Sequence, residues 1–175
     1  MTDLSKWKNV YSKYKYDGGK HIAQRIAAKG YIATPEDIDI INEIMLWKLN
    51  RSVSIPNELI EYINSVAKKI NSPLEAIKNK DVFDLIDSLL KCKGIRLPMA
   101  STILHFYQCK AFPIIDERAF RQAEGKLLPT NATANIYIDY ISRCYELSQQ
   151  YKIPFEIIDK ILYQIDIEEG NTLKK

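Results

Sequence analysis

Cysteine and histidine are scarce in this chain, and each shortage removes a class of protein. The three cysteines, Cys92, Cys109 and Cys144, are odd in number and far apart. They suit neither a disulfide framework nor a paired-thiol metal knuckle, and are expected as buried free thiols. With only two histidines, His21 and His105, no His-rich metal centre is expected, and no cofactor. No apolar run approaches the roughly 18 residues that would cross a bilayer, and the opening Met-Thr-Asp-Leu-Ser-Lys-Trp-Lys lacks the apolar heart of a signal peptide. Mean hydropathy of −0.24 agrees, so the expectation is a cytoplasmic protein with no membrane partner. Charge of one sign is missing too. Twenty-five Lys and Arg against 22 Asp and Glu leave +3, which permits a polyanion partner without demanding one, so any nucleic-acid contact must come from local clusters. Alternating strand patterns are also lacking; only Phe112 to Ile115 looks like a strand in isolation.

What is present is helical periodicity along a length of 175 residues, enough for one self-sufficient domain, residues 1–175. Residues 1–16 read as an amphipathic first helix ending near Asp17-Gly18-Gly19, its tyrosines packed on the core or free to stack on bases. His21 to Lys29 reads as a helix closed by Gly30. Thr34-Pro35-Glu36-Asp37 is a helix start, with a capping Thr, a first-turn Pro and acids that complement the dipole. The helix it opens carries Ile38, Ile41, Ile44, Met45 and Leu49 at core spacing. Ser54-Ile55-Pro56 opens another through about Ile70. Asn71-Ser72-Pro73 then breaks the chain, and a short turn precedes the helix beginning at Asp81. Asn135 to Gln150 and Pro154 to Asp166 form the last two helices, before a polar tail, 168–175, expected to fray. The reading is all-α.

Lys91 to Arg121 is the stretch around which the rest is expected to pack. It holds a helix end, a turn at Gly94, an apolar helix started by Pro98, a break at Phe112-Pro113, and Asp116 where another helix should begin. Two helices joined by such a turn leave backbone N–H groups pointing outward, and those donors with the helix dipole hold an anion such as phosphate. Lys91, Lys93 and Arg96 surround that point. An ordinary helical hairpin with solvated lysines satisfies the same pattern.

Leu90 to Ser101, followed by Phe112-Pro-Ile-Ile-Asp-Glu-Arg-Ala-Phe-Arg121, resembles the helix-hairpin-helix and Gly-Pro-Asp signature of the base-excision DNA glycosylase superfamily, which includes endonuclease III and the adenine-mismatch glycosylase. The resemblance implies an orthogonal helical bundle with the hairpin at about 81–110. It also implies a duplex-DNA partner gripped at its phosphate backbone through the hairpin, including the Gly94 and Ile95 amides, and a catalytic carboxylate at Asp116. Glu43-Ile-Met-Leu46 is similar to a string in the adenine-mismatch glycosylases whose Glu protonates the departing base. Glu43 is therefore a candidate general acid, or a solvated helix-face residue. Trp47 one turn later is a candidate wedge or stacking surface, and Lys48, Arg118 and Arg121 are candidate DNA contacts.

Departures from the family pattern sharpen these expectations. Pro98 stands where bifunctional members carry a nucleophilic lysine, so a Schiff base through that position is unavailable. Arg96 replaces the second hairpin glycine, the segment between Glu43 and the hairpin is shorter, and no four-Cys cluster follows Asp116. What remains is a monofunctional scheme: a flipped nucleotide, an Asp116 carboxylate stabilising the sugar cation and helping activate water, and hydrolysis of the N-glycosidic bond. Asp is equally a favoured N-cap, and the two roles are compatible. The alternatives are a hairpin DNA-binding module without catalysis and a helical protein-interaction domain.

Overall fold

A computed structural model describes residues 4–14, 20–28, 38–49 and 55–173; within these, the side chains of Lys20, His21, Ile38, Asp39, Met45, Trp47 and Leu49 lie outside the description. The expected Gly30 stop, the Thr34 to Asp37 start, and the stacking role of Trp47 therefore fall outside the described residues. The described chain is helical, with no strand: α1 Trp7–Tyr11, α2 Lys20–Ala28, α3 Ile38–Leu49, α4 Asn57–Lys69, α5 Pro73–Lys78, α6 Lys80–Lys91, α7 Leu97–Tyr107, α8 Glu117–Glu124, α9 Ala134–Tyr151 and α10 Ile158–Glu168. Among the described residues no helix is long and apolar enough to cross a membrane.

Local chemistry explains the boundaries. The Asn71-Ser72-Pro73 break is itself a helix start: Ser72 accepts the Glu75 N–H at 3.3 Å, while the Glu75 carboxylate reaches back to the Asn71 N–H at 2.7 Å. This reciprocal capping turns the expected short turn into α5. α1 is shorter than its periodicity suggests; the Ser12 hydroxyl donates to the Asn9 carbonyl at 2.7 Å, closing the helix at Tyr11. α8 begins where Asp116 accepts the Ala119 N–H at 2.8 Å and stops at Gly125, whose φ of 70° is the left-handed conformation of a helix end.

α10 packs on α8 and α1, α9 on α5 and α8, and α7 on α2, α3, α4 and α6. In the middle runs Ala111 to Ile115, irregular and buried throughout. An irregular buried segment is stable only if its amides and carbonyls find partners, and here side chains from three helices supply them. The Phe112 carbonyl accepts from His105 Nδ1 at 2.8 Å, which fixes the ring's tautomer with the proton on Nδ1. The hydroxyls of Tyr137 and Tyr140 donate to the Pro113 and Ile114 carbonyls at 2.8 and 3.1 Å. Asp159 accepts the Ile114 N–H at 2.8 Å, and Ser101 the Ile115 N–H at 3.1 Å.

Tyr137 and Tyr140 are fully buried, whereas Ile136 and Ile138 sit partly buried at the rim of this helix. The buried set Tyr137, Tyr140, Ile141, Cys144, Leu147 and Ser148 follows the three-then-four spacing of one helical face. Of the three cysteines only Cys144 is buried; Cys92 is half-buried and Cys109 exposed, and all are free thiols. Burial pushes each of these thiols above its ordinary pKa. Arg118 and Arg121 donate to the Asn171 and Thr172 carbonyls, tying this part of the tail to α8.

Candidate active site

The buried crossing delivers Asp116 to an open cleft of about 250 Å³. Ile114 and Asp116 form one part of its wall, Lys48 of α3 another, and Tyr14 comes in after α1. α10 completes it with Asp159, Lys160 and Tyr163. The Tyr14 and Tyr163 rings meet edge to face at 6.2 Å. The Lys160 ammonium lies 5.9 Å from the Tyr14 ring centre and the Arg118 guanidinium 5.9 Å from that of Tyr163, so the aromatic wall is braced by cations.

The two cleft carboxylates differ in their commitments. Asp159 is nearly inaccessible; it holds the Ile114 N–H, accepts its neighbour's Lys160 N–H at 2.9 Å, and lies 4.0 Å from His105 Nδ1. Burial pushes the His105 pKa below its ordinary value, against the pull of Asp159, so the ring is neutral and donates to Phe112. Asp116 is only half-buried and caps its helix by accepting the Ala119 N–H at 2.8 Å. Burial pushes its pKa above the ordinary carboxylate value, with Lys48 and the amides of Ala119 and Arg118 opposing. The Tyr14 phenol is also pushed up, first by burial and then by Asp159 and Asp116. An upward-shifted carboxyl in a cleft beside a cation can exchange a proton with a bound molecule or stabilise a developing positive charge. Among the described residues no group of three or more His, Cys, Asp or Glu side chains could hold a metal.

The other expected site residues are dispersed. Lys48 lines the cleft but Glu43 does not; Glu43 pairs with Arg25 of α2. Five residues at roughly 100° each turn the two onto different helix faces. At the hairpin, Lys91, Lys93 and Arg96 are exposed, with Lys91 bound to Asp87 one turn back at 2.7 Å, which raises its pKa by that hydrogen bond. Gly94 takes φ 87°, the left-handed turn that glycine allows. Ile95, expected to offer its amide to a phosphate, instead gives it to the Cys92 carbonyl at 3.1 Å, and its side chain is core.

Arg118 and Arg121, expected as DNA contacts, are turned inward. Arg121 makes a two-pronged pair with the fully buried Asp166 at 2.8 and 2.6 Å, and Arg118 adds a third hydrogen bond at 2.8 Å. Such fork-shaped pairing commits the guanidinium planes to α10. Ile114, Asp159, Lys160 and Tyr163 are not among the expected site residues, and Tyr14 is expected only as one of the first helix's tyrosines, packed on the core or free to stack on bases. One signal was available: Asp159 and Asp166 interrupt the apolar face of α10 seven residues apart, and acids at core positions need an internal partner or a function. No family model, no curated protein and no solved structure matches the chain.

Proposed function

We propose that the chain is a DNA-binding protein resembling a monofunctional DNA glycosylase, which draws a damaged or mismatched nucleotide into the cleft and hydrolyses its N-glycosidic bond. The observation that carries the reading is Asp116: a helix-capping carboxyl, brought by the buried crossing that follows α7 into an open cleft. As carboxylate, Asp116 stabilises the positive charge that develops on the sugar as the base departs, and orients the attacking water. The Tyr14 and Tyr163 rings offer faces and edges to a planar base, and the cleft volume suits a group of that size. Glu43, bound to Arg25 away from the cleft lining, is not part of this scheme; Lys48 stands in the cleft wall as a cation with Asp116.

The test is base release from a panel of duplexes, each with one altered or mismatched base, followed by alkali to cut abasic sites and a denaturing gel. Wild type releases a base from at least one duplex, and Asp116→Asn releases it on the order of 10²-fold more slowly or worse. Equal rates, or no release from any duplex, overturn the catalytic reading.

A binding-only reading has one observation in its favour: Lys93 and Arg96 stand exposed at the hairpin turn. It requires duplex affinity that falls with salt and drops in Lys93→Ala and Arg96→Ala, each removing about one unit from the slope of log affinity against log salt. Affinity indifferent to salt contradicts it.

A further inference from the structure

Asp159 sits at a core position of α10, only 3% exposed, where an acid is costly unless something offsets its charge. Its direct partners are neutral: Oδ2 accepts the Ile114 N–H at 2.8 Å and Oδ1 the Lys160 N–H at 2.9 Å. His105 Nδ1 stands 4.0 Å away and gives its proton to the Phe112 carbonyl instead. Among the described residues no Lys or Arg pairs with Asp159, whereas Asp166 in the same helix takes two guanidiniums. The two amides account for the acceptor oxygens but do not offset the charge, whose field falls on the surrounding groups. Those groups come from several elements: Tyr14 after α1, His105 of α7, Asp116 at the start of α8, and Tyr137, Tyr140 and Cys144 of α9. Of these, Tyr14 and Asp116 line the open cleft together with Asp159.

The same carboxylate joins two parts of the cleft wall. Ser101 of α7 and the tyrosines of α9 hold the crossing from other sides, but the bond to Ile114 is the one that reaches it from α10. Ile114 lies two residues before Asp116, and Asp159 is followed by Lys160 and, one turn on, Tyr163; all of them line the cleft. We propose that Asp159 is a positioning residue for Asp116: it sets the crossing against α10 through the Ile114 N–H, and it places a second carboxylate charge in the cleft that Asp116 lines. Two carboxyls that share one cleft do not both ionise easily. Asp159 is sheltered and held by its amides, so Asp116, half-buried, is the member of the pair that takes up and gives back a proton. Lys48 of α3 and the amides of Ala119 and Arg118 act on Asp116 in the opposite sense. The inference rests on the proposed function only in taking Asp116 as the reactive carboxyl.

The experiment follows the Asp116 carboxyl carbon by nuclear magnetic resonance through an acid-to-neutral titration of the isotope-labelled full chain, with no DNA present. Asp159→Asn keeps the size of the side chain and one acceptor oxygen while removing the charge. Ser101→Ala removes the acceptor of the adjoining Ile115 N–H and leaves every charge in place. The expected result is an Asp116 midpoint that moves to lower pH in Asp159→Asn and stays with wild type in Ser101→Ala. A midpoint that is unmoved or rises in folded Asp159→Asn overturns the proposal. So does an equal fall in both variants, which would assign the effect to a loosened crossing. Hydrogen exchange on wild type needs no variant: the Ile114 amide hydrogen is expected to exchange as slowly as those of the core helices. Fast exchange there breaks the tie to α10 and overturns the proposal even if Asp159→Asn does not fold. The titration is also independent of base release. The expected shift with no release from any duplex upholds Asp159 and removes the catalytic reading; release with an unmoved midpoint removes this proposal alone.

Discussion

Asp116 and Asp166 both answer to helix α8, and their surroundings drive them in opposite directions. Burial acts to raise the pKa of each. At Asp166 the hydrogen bonds from Arg121, Arg118 and Gln122 outweigh burial and hold the carboxyl below its ordinary value. At Asp116 a lysine and two backbone amides do not, and the carboxyl stays above its ordinary value. The difference lies in the donors: charged guanidinium forks at 2.6 to 2.8 Å against neutral amides and a lysine that forms no direct pair. Burial alone therefore does not mark a carboxylate as structural or reactive. Asp166 is saturated and joins α8 to α10, whereas Asp116 is met by backbone amides of its own helix and lines the open cleft.

The largest expected effect breaks the saturated side. Asp166→Ala leaves two part-buried guanidiniums, Gln122 and Asn171 without their common acceptor, and costs about 3 kcal/mol, read from the urea midpoint. Because the native pKa of Asp166 is lowered, its contribution is present above the ordinary carboxylate value and disappears as pH falls through the lowered native one. The gap between wild type and Asp166→Ala therefore closes in acid. A variant as stable as wild type at neutral pH contradicts the locking role.

Tyr140→Phe comes next. It leaves the buried Ile114 carbonyl without its donor, at a cost of about 1–3 kcal/mol. Because Ile114 lies two residues before Asp116, base release is also expected to slow. Unchanged stability would mean that the carbonyl finds another partner and that the crossing is less constrained than its hydrogen bonds indicate. Gly94→Ala follows at roughly 1–2 kcal/mol, the cost of a left-handed conformation for an L residue, since a methyl group there meets no atom within 4 Å. A larger loss would point to a contact that the turn does not display.

The helices and the Asp116 cap were legible in the sequence because both are local. Apolar spacing places α4, α6 and α9, and Asp116 followed by Glu117 announces α8. What sequence reading did not supply was pairing across distance. Arg118 and Arg121 look like surface cations until Asp166, 45 residues further on, is folded against them. Lys48, Asp159 and Tyr163 become neighbours of Asp116 only when α3 and α10 pack beside the crossing. The α5 start is also local: Ser72-Pro73-Leu74-Glu75 is a capping pattern, although its Pro by itself reads as a break. Tyr137 and Tyr140 belonged to the buried face by spacing, but their role as donors to Pro113 and Ile114 depended on a segment whose path the sequence did not give.

The smallest effect on stability sharpens the comparison most. Asp116→Asn retains a side-chain oxygen that accepts the Ala119 N–H, and Asn caps helices about as well as Asp, so acid conditions should find variant and wild type equally stable. With rising pH the two separate. The native Asp116 keeps its proton to a higher pH than the unfolded chain does; between the ordinary and the raised value the native state binds more protons, and wild-type stability falls across that window. The Asn variant has no such loss and becomes the more stable protein above it. Thermal melts of wild type, Asp116→Asn and Asp166→Ala across the acid-to-neutral range should converge at the acid end and diverge in opposite senses as pH rises. An Asp116→Asn curve that falls below wild type at neutral pH would mean that the charged carboxylate is stabilising, which would place Asp116 with Asp166 among the structural carboxylates and remove the energetic basis for a reactive acid in the cleft.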